Sequence, residues 1–553
     1  MGKYAKYAKH AKRLLIALAA AMLLQLAACA TAGGGARQQA PASGGAAESA
    51  GTAESAGAAG TAETAETAGT AGTVQDAGGP AGEGGELEFV SVKMVLPADP
   101  QKDQDMVQAE WNKYLKERLN CELTIEALPW DSQRDKLTAM LAAGEAMDLV
   151  FTAGWNGYYS DVAKGAFIPL DGLVELYGQD MKALIDPLYL QGSRIKGELY
   201  MIPTNKEIAE GHCMWFVAEL VEKYNMELAP DMTIEDFEPL YRTIKENEPN
   251  VSPMTSELDF YGVTKEIAAN NDKFGEIPGF DYLMVEYGTG EIVCKYGLDW
   301  YVKKYDIYRD YYNKGYFSRD MQDKKLTQED ALKARTLFSL TGMNKPGEAE
   351  LIQQANNLSA PPIKVAALPP KTDTYSTVGA GLAIASQSKA PERAMMAINL
   401  LWSDQKLIDL IQSGIEGVHY VKDPGERWHK NLPEGVANPS DTGYNPGYFW
   451  LFGNDMQNLI WDNEPADKHE QYQKFNADAY KSPILGFYFD PENVKTETTA
   501  ISNVIETYRE ILIYGMAEPA ETLEQVMGKL DASGIGRVIE EAKKQYDEWK
   551  AQA

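Results

Sequence analysis

The chain has 553 residues, with 52 basic against 81 acidic side chains and a formal net charge of −29. That balance excludes nucleic-acid binding by charge, which needs a basic footprint, and it opposes adsorption to an anionic membrane surface. The length exceeds what one ordinary core holds, so at least two folded lobes are expected.

Residues 2–13 carry Lys3, Lys6, Lys9, Lys12 and Arg13 and no acid, and an apolar run from Leu14 to Leu24 follows. It ends at Leu26-Ala27-Ala28-Cys29. A basic start, a short apolar core and small residues before a cut describe a secretory signal peptide, 1–28. The run is short for a membrane span. With Cys29 at the first mature position, the segment resembles the lipobox of bacterial lipoproteins. That implies acylation of the Cys29 thiol and attachment to the extracytoplasmic face of a cell membrane. An uncleaved anchor helix is the alternative. Loss of the leader removes five basic residues and leaves the mature chain more acidic still.

Residues 30–86 are mostly Ala, Gly, Thr, Ser and Glu, with no aromatic residue and only Val74 as an aliphatic larger than Ala. Such a segment buries too little surface to fold. As a flexible linker it has a root-mean-square span of about 40 Å.

From Leu87 onward, strands and helices alternate. Residues 87–96 alternate apolar and polar like a strand, and a helix is expected after Asp103, with Val107, Trp111, Leu115 and Leu119 on one face. Cys121–Leu128 reads as a strand, Asp135–Ala143 as an amphipathic helix, and Asp148–Phe151 as a short buried strand. This order implies a mostly parallel sheet with helices on both sides. Ligands of such sheets sit beyond the carboxyl ends of the strands, here the loops near Pro97, Pro129 and Thr152. Toward the other end, Ile501, Val504, Ile505, Tyr508, Ile511 and Leu512 form one helical stripe. Ile535, Val538, Ile539, Ala542, Tyr546 and Trp549 form another, and core packing accounts for both. Cys121, Cys213 and Cys294 are odd in number and lack zinc or redox spacing, so free buried thiols are expected.

Several stretches resemble the family-1 extracellular solute-binding proteins. Lys136–Glu145 followed by Met147-Asp148-Leu149-Val150 is similar to that family's first-lobe signature. Gly197–Pro203 resembles its G-x-x-Y-x-x-P crossover, and Trp215–Tyr224 resembles the strand and helix that open its second lobe. The family's Arg-Lys-Asp there is Val217-Ala218-Glu219 in this chain. Ile363–Pro369, Gly379–Ala385, Ser388 and Pro391–Ala394 resemble the return to the first lobe. Gly414–Tyr420 and Gly486–Asp490 are similar to LipO-type lipoproteins of Gram-positive firmicutes, which end in a helical domain of unknown function. The resemblance implies a periplasmic-binding-protein-like α/β fold: two lobes joined by a hinge, with a helical C-terminal extension. The implied boundaries are 87–204 for the first lobe, 205–345 for the second and 346–412 for the return. Residues 413–553 then complete the second lobe and form the C-terminal domain. The implied role is that of an importer receptor, a monomer working with the transmembrane subunits of an ABC permease.

No catalytic constellation stands out. The histidines, His10, His212, His419, His429 and His469, have no metal-ligand spacing, and there is no G-x-S-x-G elbow or phosphate-binding loop. Asp99, Gln101, Asp103, Asp105 and Glu110 mimic a calcium loop, but its sixth position is Gln104 rather than Gly. No cofactor, metal or enzyme activity is expected. Sugar sites offer aromatic planes to pyranose faces and carboxylates or amides to hydroxyls. The candidates are Trp130, Trp155, Tyr158, Glu207, Trp215, Glu416, Tyr420 and Trp450. They point to an oligosaccharide. A peptide or other charged solute is the alternative, and a surface enzyme or adhesion protein on this scaffold is a third reading.

Overall fold

The computed structural model describes residues 87–255, 263–318, 326–365 and 368–552, so the expected leader, Cys29 and the linker lie outside the described residues. The first strand, β1 (Val90–Pro97), is followed by α1 (Gln104–Leu119), which buries Val107, Trp111 and Leu115. The Trp111 indole donates to the Leu123 carbonyl at 2.9 Å, tying α1 to β2 (Cys121–Leu128). Next come α2 (Gln133–Ala143), which ends at Gly144 in the left-handed region, and β3 (Leu149–Thr152). β1 pairs in parallel with both β2 and β3. The signature residue Asp148 accepts from the Lys93 amide and the Ser388 hydroxyl, which explains its place at the head of β3. The G-x-x-Y-x-x-P stretch starts in the turn of a tight hairpin, Arg194–Ile195 against Glu198–Leu199, with Lys196 and Gly197 both at positive φ, and leads to β4 (Ile202–Pro203) at the sheet edge, where a proline is tolerated.

The second lobe opens with β5 (His212–Phe216) and β6 (Ser252–Met254). An antiparallel meander follows: β7 (Phe274–Ile277), β8 (Phe280–Glu286) and β9 (Ile292–Cys294). Helix α3 (Asp299–Lys314) buries Tyr301, Tyr305, Tyr308 and Tyr311 on its inner face. Then come β10 (Leu337–Met343) and β11 (Ile363–Val365). The second sheet runs β11-β5-β10-β6. Ile363–Val365 therefore belongs to the second lobe, not to the return into the first, because it pairs with Phe216–Met214 of β5.

The return is β12 (Gly381–Ile384), which runs antiparallel between β3 and β4 and completes the sheet order β2-β1-β3-β12-β4. Helices α4 (Pro391–Ser403) and α5 (Gln405–Ser413) cover it. The following stretch also stays with the first lobe: Tyr444, Tyr448, Leu451 and Phe452 are buried in that core. This moves the expected boundary at 413, because these rings pack against Trp402, Leu407 and their neighbours. After α6 (Lys468–Asp478), three helices close the chain: α7 (Lys495–Ile513), α8 (Pro519–Ala532) and α9 (Ile535–Lys550). They bury Ile501, Leu512, Val526, Leu530, Val538 and Ala542 in the second-lobe core. Gly515, at φ +60°, joins α7 to α8 where a side chain would strike the Tyr308 carbonyl.

The chain passes between the lobes at 204–211, 368–380 and 479–489, and these segments lie side by side. Glu210 and Lys371 exchange backbone hydrogen bonds of 2.8 and 2.7 Å. Lys371–Thr372 pairs in parallel with Tyr480–Lys481. Asn476 accepts from the amides of Ile208 and Ala209 and donates to the Lys206 carbonyl, fixing the first crossing from α6. The Gly486–Asp490 motif is the third crossing. Phe487 and Phe489 anchor in the second-lobe core, and Tyr488 stacks on Tyr159 of the first lobe at 5.8 Å. Cys121, Cys213 and Cys294 are free and buried, and burial pushes their thiols up.

Candidate ligand cleft between the lobes

β3 ends in a buried core strand, and the chain then makes a single 3₁₀ turn, Gly154–Asn156, that carries Trp155 out of the sheet. Trp155 is 46% exposed. Its indole N–H donates to the Gly379 carbonyl at 2.8 Å, and its ring leans on buried Phe151 at 6.0 Å. The platform is thus held from two directions, with a face left to solvent. Gly154 is required beside it, since a Cβ there would meet Val378 at 2.8 Å.

Trp155 forms one wall of a cleft of about 580 Å³. Tyr375 joins it from the first-lobe side, the crossings supply Glu210, Lys371 and Asp373, and His212 comes from the start of β5. The second-lobe wall carries Phe274, Trp300 and Tyr301, with the Phe274 and Trp300 rings 5.1 Å apart. The volume falls in the range of small-molecule sites, and both walls present aromatic faces.

The charges of the cleft are internally matched. Lys371 lies 3.2 Å from Asp373. Burial, then repulsion from Asp373, pushes the half-buried Glu210 carboxyl up to about 7. Burial, reinforced by Lys371, takes His212 down to about 4, so its ring is neutral at pH 7. On the second-lobe wall Lys295 is buried, 3.3 Å from both Glu276 and Asp281. Burial opposes its charge, but these carboxylates and the Tyr301 ring 5.3 Å away hold it protonated. Arg509, from α7, reaches Asp281 at 3.4 Å.

Of the residues expected at the site, Trp155 lines this cleft. Trp130 and Trp450 stack on each other at 5.6 Å, and Trp450 meets Phe151 edge-on at 6.2 Å. They form a ledge along the carboxyl ends of β2 and β3, joined to Trp155 through Phe151. The others sit elsewhere. Tyr158 is fully buried, its hydroxyl donating to the Ser193 carbonyl. Trp215 is buried with Cys213 and Val217 inside the second lobe. Tyr420 is buried, and Glu416 is exposed on the same turn, away from the cleft lining. That turn has a packing role: buried His419 accepts from the Ile415 amide and faces Asp103, 3.6 Å away, just ahead of α1. Glu207 is buried in an ion cluster with Lys206 and Lys345, at 3.3 and 3.1 Å. Burial alone would raise its pKa, but these cations hold it down to about 2. Phe274, Trp300, Tyr301, Tyr375, Glu210 and Arg509 were not anticipated. Only Trp300 left a trace in the sequence, as an aromatic residue off the tyrosine stripe of α3.

Two α/β lobes, three adjacent crossings and an aromatic cleft between them define a two-lobed binding protein. The chain belongs to the bacterial extracellular solute-binding protein family, whose model matches residues 98–406, and membership places it on the extracytoplasmic side. Residues 483–551 match a domain of unknown function, DUF3502. The chain is 26% identical over 468 residues to a carbohydrate ABC transporter substrate-binding protein of Streptococcus pneumoniae, covering 83% of this chain and 90% of that protein. Its fold is similar to that of the N-glycan transport solute binding protein NgtS from the same species, with a TM-score of 0.72 and 24% identity, covering 83% and 98% of the two chains. The similarity extends to NgtS in complex with Man5GlcNAc, with a TM-score of 0.67, 24% identity and the same coverage. Among the described residues, no helix is long and apolar enough to cross a membrane.

Proposed function

We propose that this chain is the substrate-binding receptor of an ABC importer, a monomer that captures an uncharged oligosaccharide in the cleft and delivers it to the permease. The observation that carries this reading is the pair of aromatic walls, Trp155 on one lobe and Phe274 with Trp300 on the other. Opposed rings suit the apolar faces of pyranoses. The lining charges support an uncharged ligand: Lys295, Lys304, Lys371 and Arg509 are nearly balanced by Glu276, Asp281 and Asp373 together with Glu210, which is about half ionised at pH 7. The similar proteins named for carbohydrate and N-glycan transport point the same way. Closure of the lobes over the ligand would give the permease a shape to recognise. The Leu-Ala-Ala-Cys29 sequence supports attachment through a lipid on Cys29, with residues 30–86 as the tether.

The test is binding calorimetry of the 87–553 chain against a panel of neutral mannose- and N-acetylglucosamine-containing oligosaccharides, their sialylated counterparts, and peptides. Tight binding confined to neutral glycans is expected. Preference for a peptide or an acidic glycan would contradict the reading.

A further inference from the structure

We infer that the C-terminal helical domain is part of the ligand site, and that Arg509 on α7 contacts the bound oligosaccharide and helps set specificity. The inference rests on the oligosaccharide reading above. Helix α7 packs Ile501, Ile505 and Leu512 into the second-lobe core. Arg509 follows Ile505 by four residues and so shares that inward face. An apolar residue would continue the stripe, and a guanidinium there is costly unless it is paired. Arg509 is paired with Asp281 at 3.4 Å, and its side chain lines the cleft.

Asp281 does not serve Arg509 alone. The same carboxylate oxygen lies 3.3 Å from Lys295, which also faces Glu276. The four groups form a chain along the second-lobe wall beside Tyr301, whose ring Lys295 overlies. Asp281 at 3.4 Å and Glu506 at 3.7 Å hold the guanidinium at the cleft wall without a contribution from ligand. The planar guanidinium fork, anchored through one nitrogen, leaves N–H donors to face two adjacent hydroxyls of a hexose. The domain therefore does more than shield the lobe, since it delivers a side chain across the core to the ligand.

The test uses Arg509→Gln and Arg509→Ala in the full chain, with Man5GlcNAc as the probe, by calorimetry, and with melting temperature as the fold control. Loss of one charge-assisted contact is expected to weaken binding about tenfold or more, with the unliganded melting temperature nearly unchanged. Substituting exposed Glu524 on α8 to Ala should leave affinity as it was. Unchanged affinity in both Arg509 variants would overturn the inference, and so would parallel loss of affinity and melting temperature in both, which would make Arg509 a scaffold residue. Absence of glycan binding by the unaltered chain would instead overturn the oligosaccharide reading itself.

Discussion

Glu210 sits where the crossings meet the cleft, and its carboxyl is pushed up to about 7 by burial and by Asp373. Its native pKa lies above the ordinary 4.5, so between these values the native state holds more proton than the unfolded state. Stability from this group is therefore full below about 4.5 and declines as pH rises toward 7. Glu210→Gln removes that titration. The substitution should raise the melting temperature at pH 8 by about 2 °C or more and change it little at pH 4.5. Equal effects at both pH values, followed by calorimetric scanning, would show that Glu210 does not titrate in this way. Glu207 has the opposite sign: held down to about 2 by Lys206 and Lys345, it stabilises above 4.5 and loses that contribution as pH falls toward 2. Lys345→Met should then leave a buried carboxylate with one cation fewer and destabilise the fold by about 3 kcal/mol in urea titrations at pH 7.

At the scale of elements, the three C-terminal helices close the second-lobe core rather than stand beside it. Leu530 is fully buried there. Leu530→Ala should cost about 2–5 kcal/mol in urea unfolding, like other deletions in a packed core. A loss below about 1 kcal/mol would mean that α8 is only loosely attached. The same elements explain what the sequence revealed. β1–β3 and the stripes of α1, α7 and α9 follow from local periodicity, and Trp155 is legible because a buried strand must hand its next large ring to the surface. Trp215 lies away from the cleft because β5 is covered on both faces: Met214 and Phe216 enter one core, while Cys213 and Trp215, with Val217 just beyond the strand, enter another. Alternation along such a strand marks no exposed side. Tyr158 lies away from the cleft because the turn after Trp155 folds it back onto Ser193. The second-lobe wall was not legible, since Phe274, Trp300 and Arg509 come together only through the meander and the C-terminal packing.

At the scale of the molecule, residues 87–553 are expected to carry folding and binding without the preceding segment. Deleting 30–86 should leave their cooperative unfolding unchanged, and a drop of several degrees in melting temperature would show that this segment packs on the lobes. Cys29→Ser should release the protein from the membrane fraction. Retention after salt extraction would contradict lipid attachment, because so acidic a chain is not held there by charge. The central claim, an oligosaccharide held between aromatic walls of two lobes, is tested most directly by titration calorimetry. Man5GlcNAc would be titrated into the unaltered 87–553 chain, Trp155→Ala and Trp300→Ala. Each wall variant should bind about thirtyfold more weakly, a loss of about 2 kcal/mol, while its unliganded melting temperature stays nearly constant. Intact affinity in Trp155→Ala together with a large loss of stability would make that ring a core residue and place the site elsewhere.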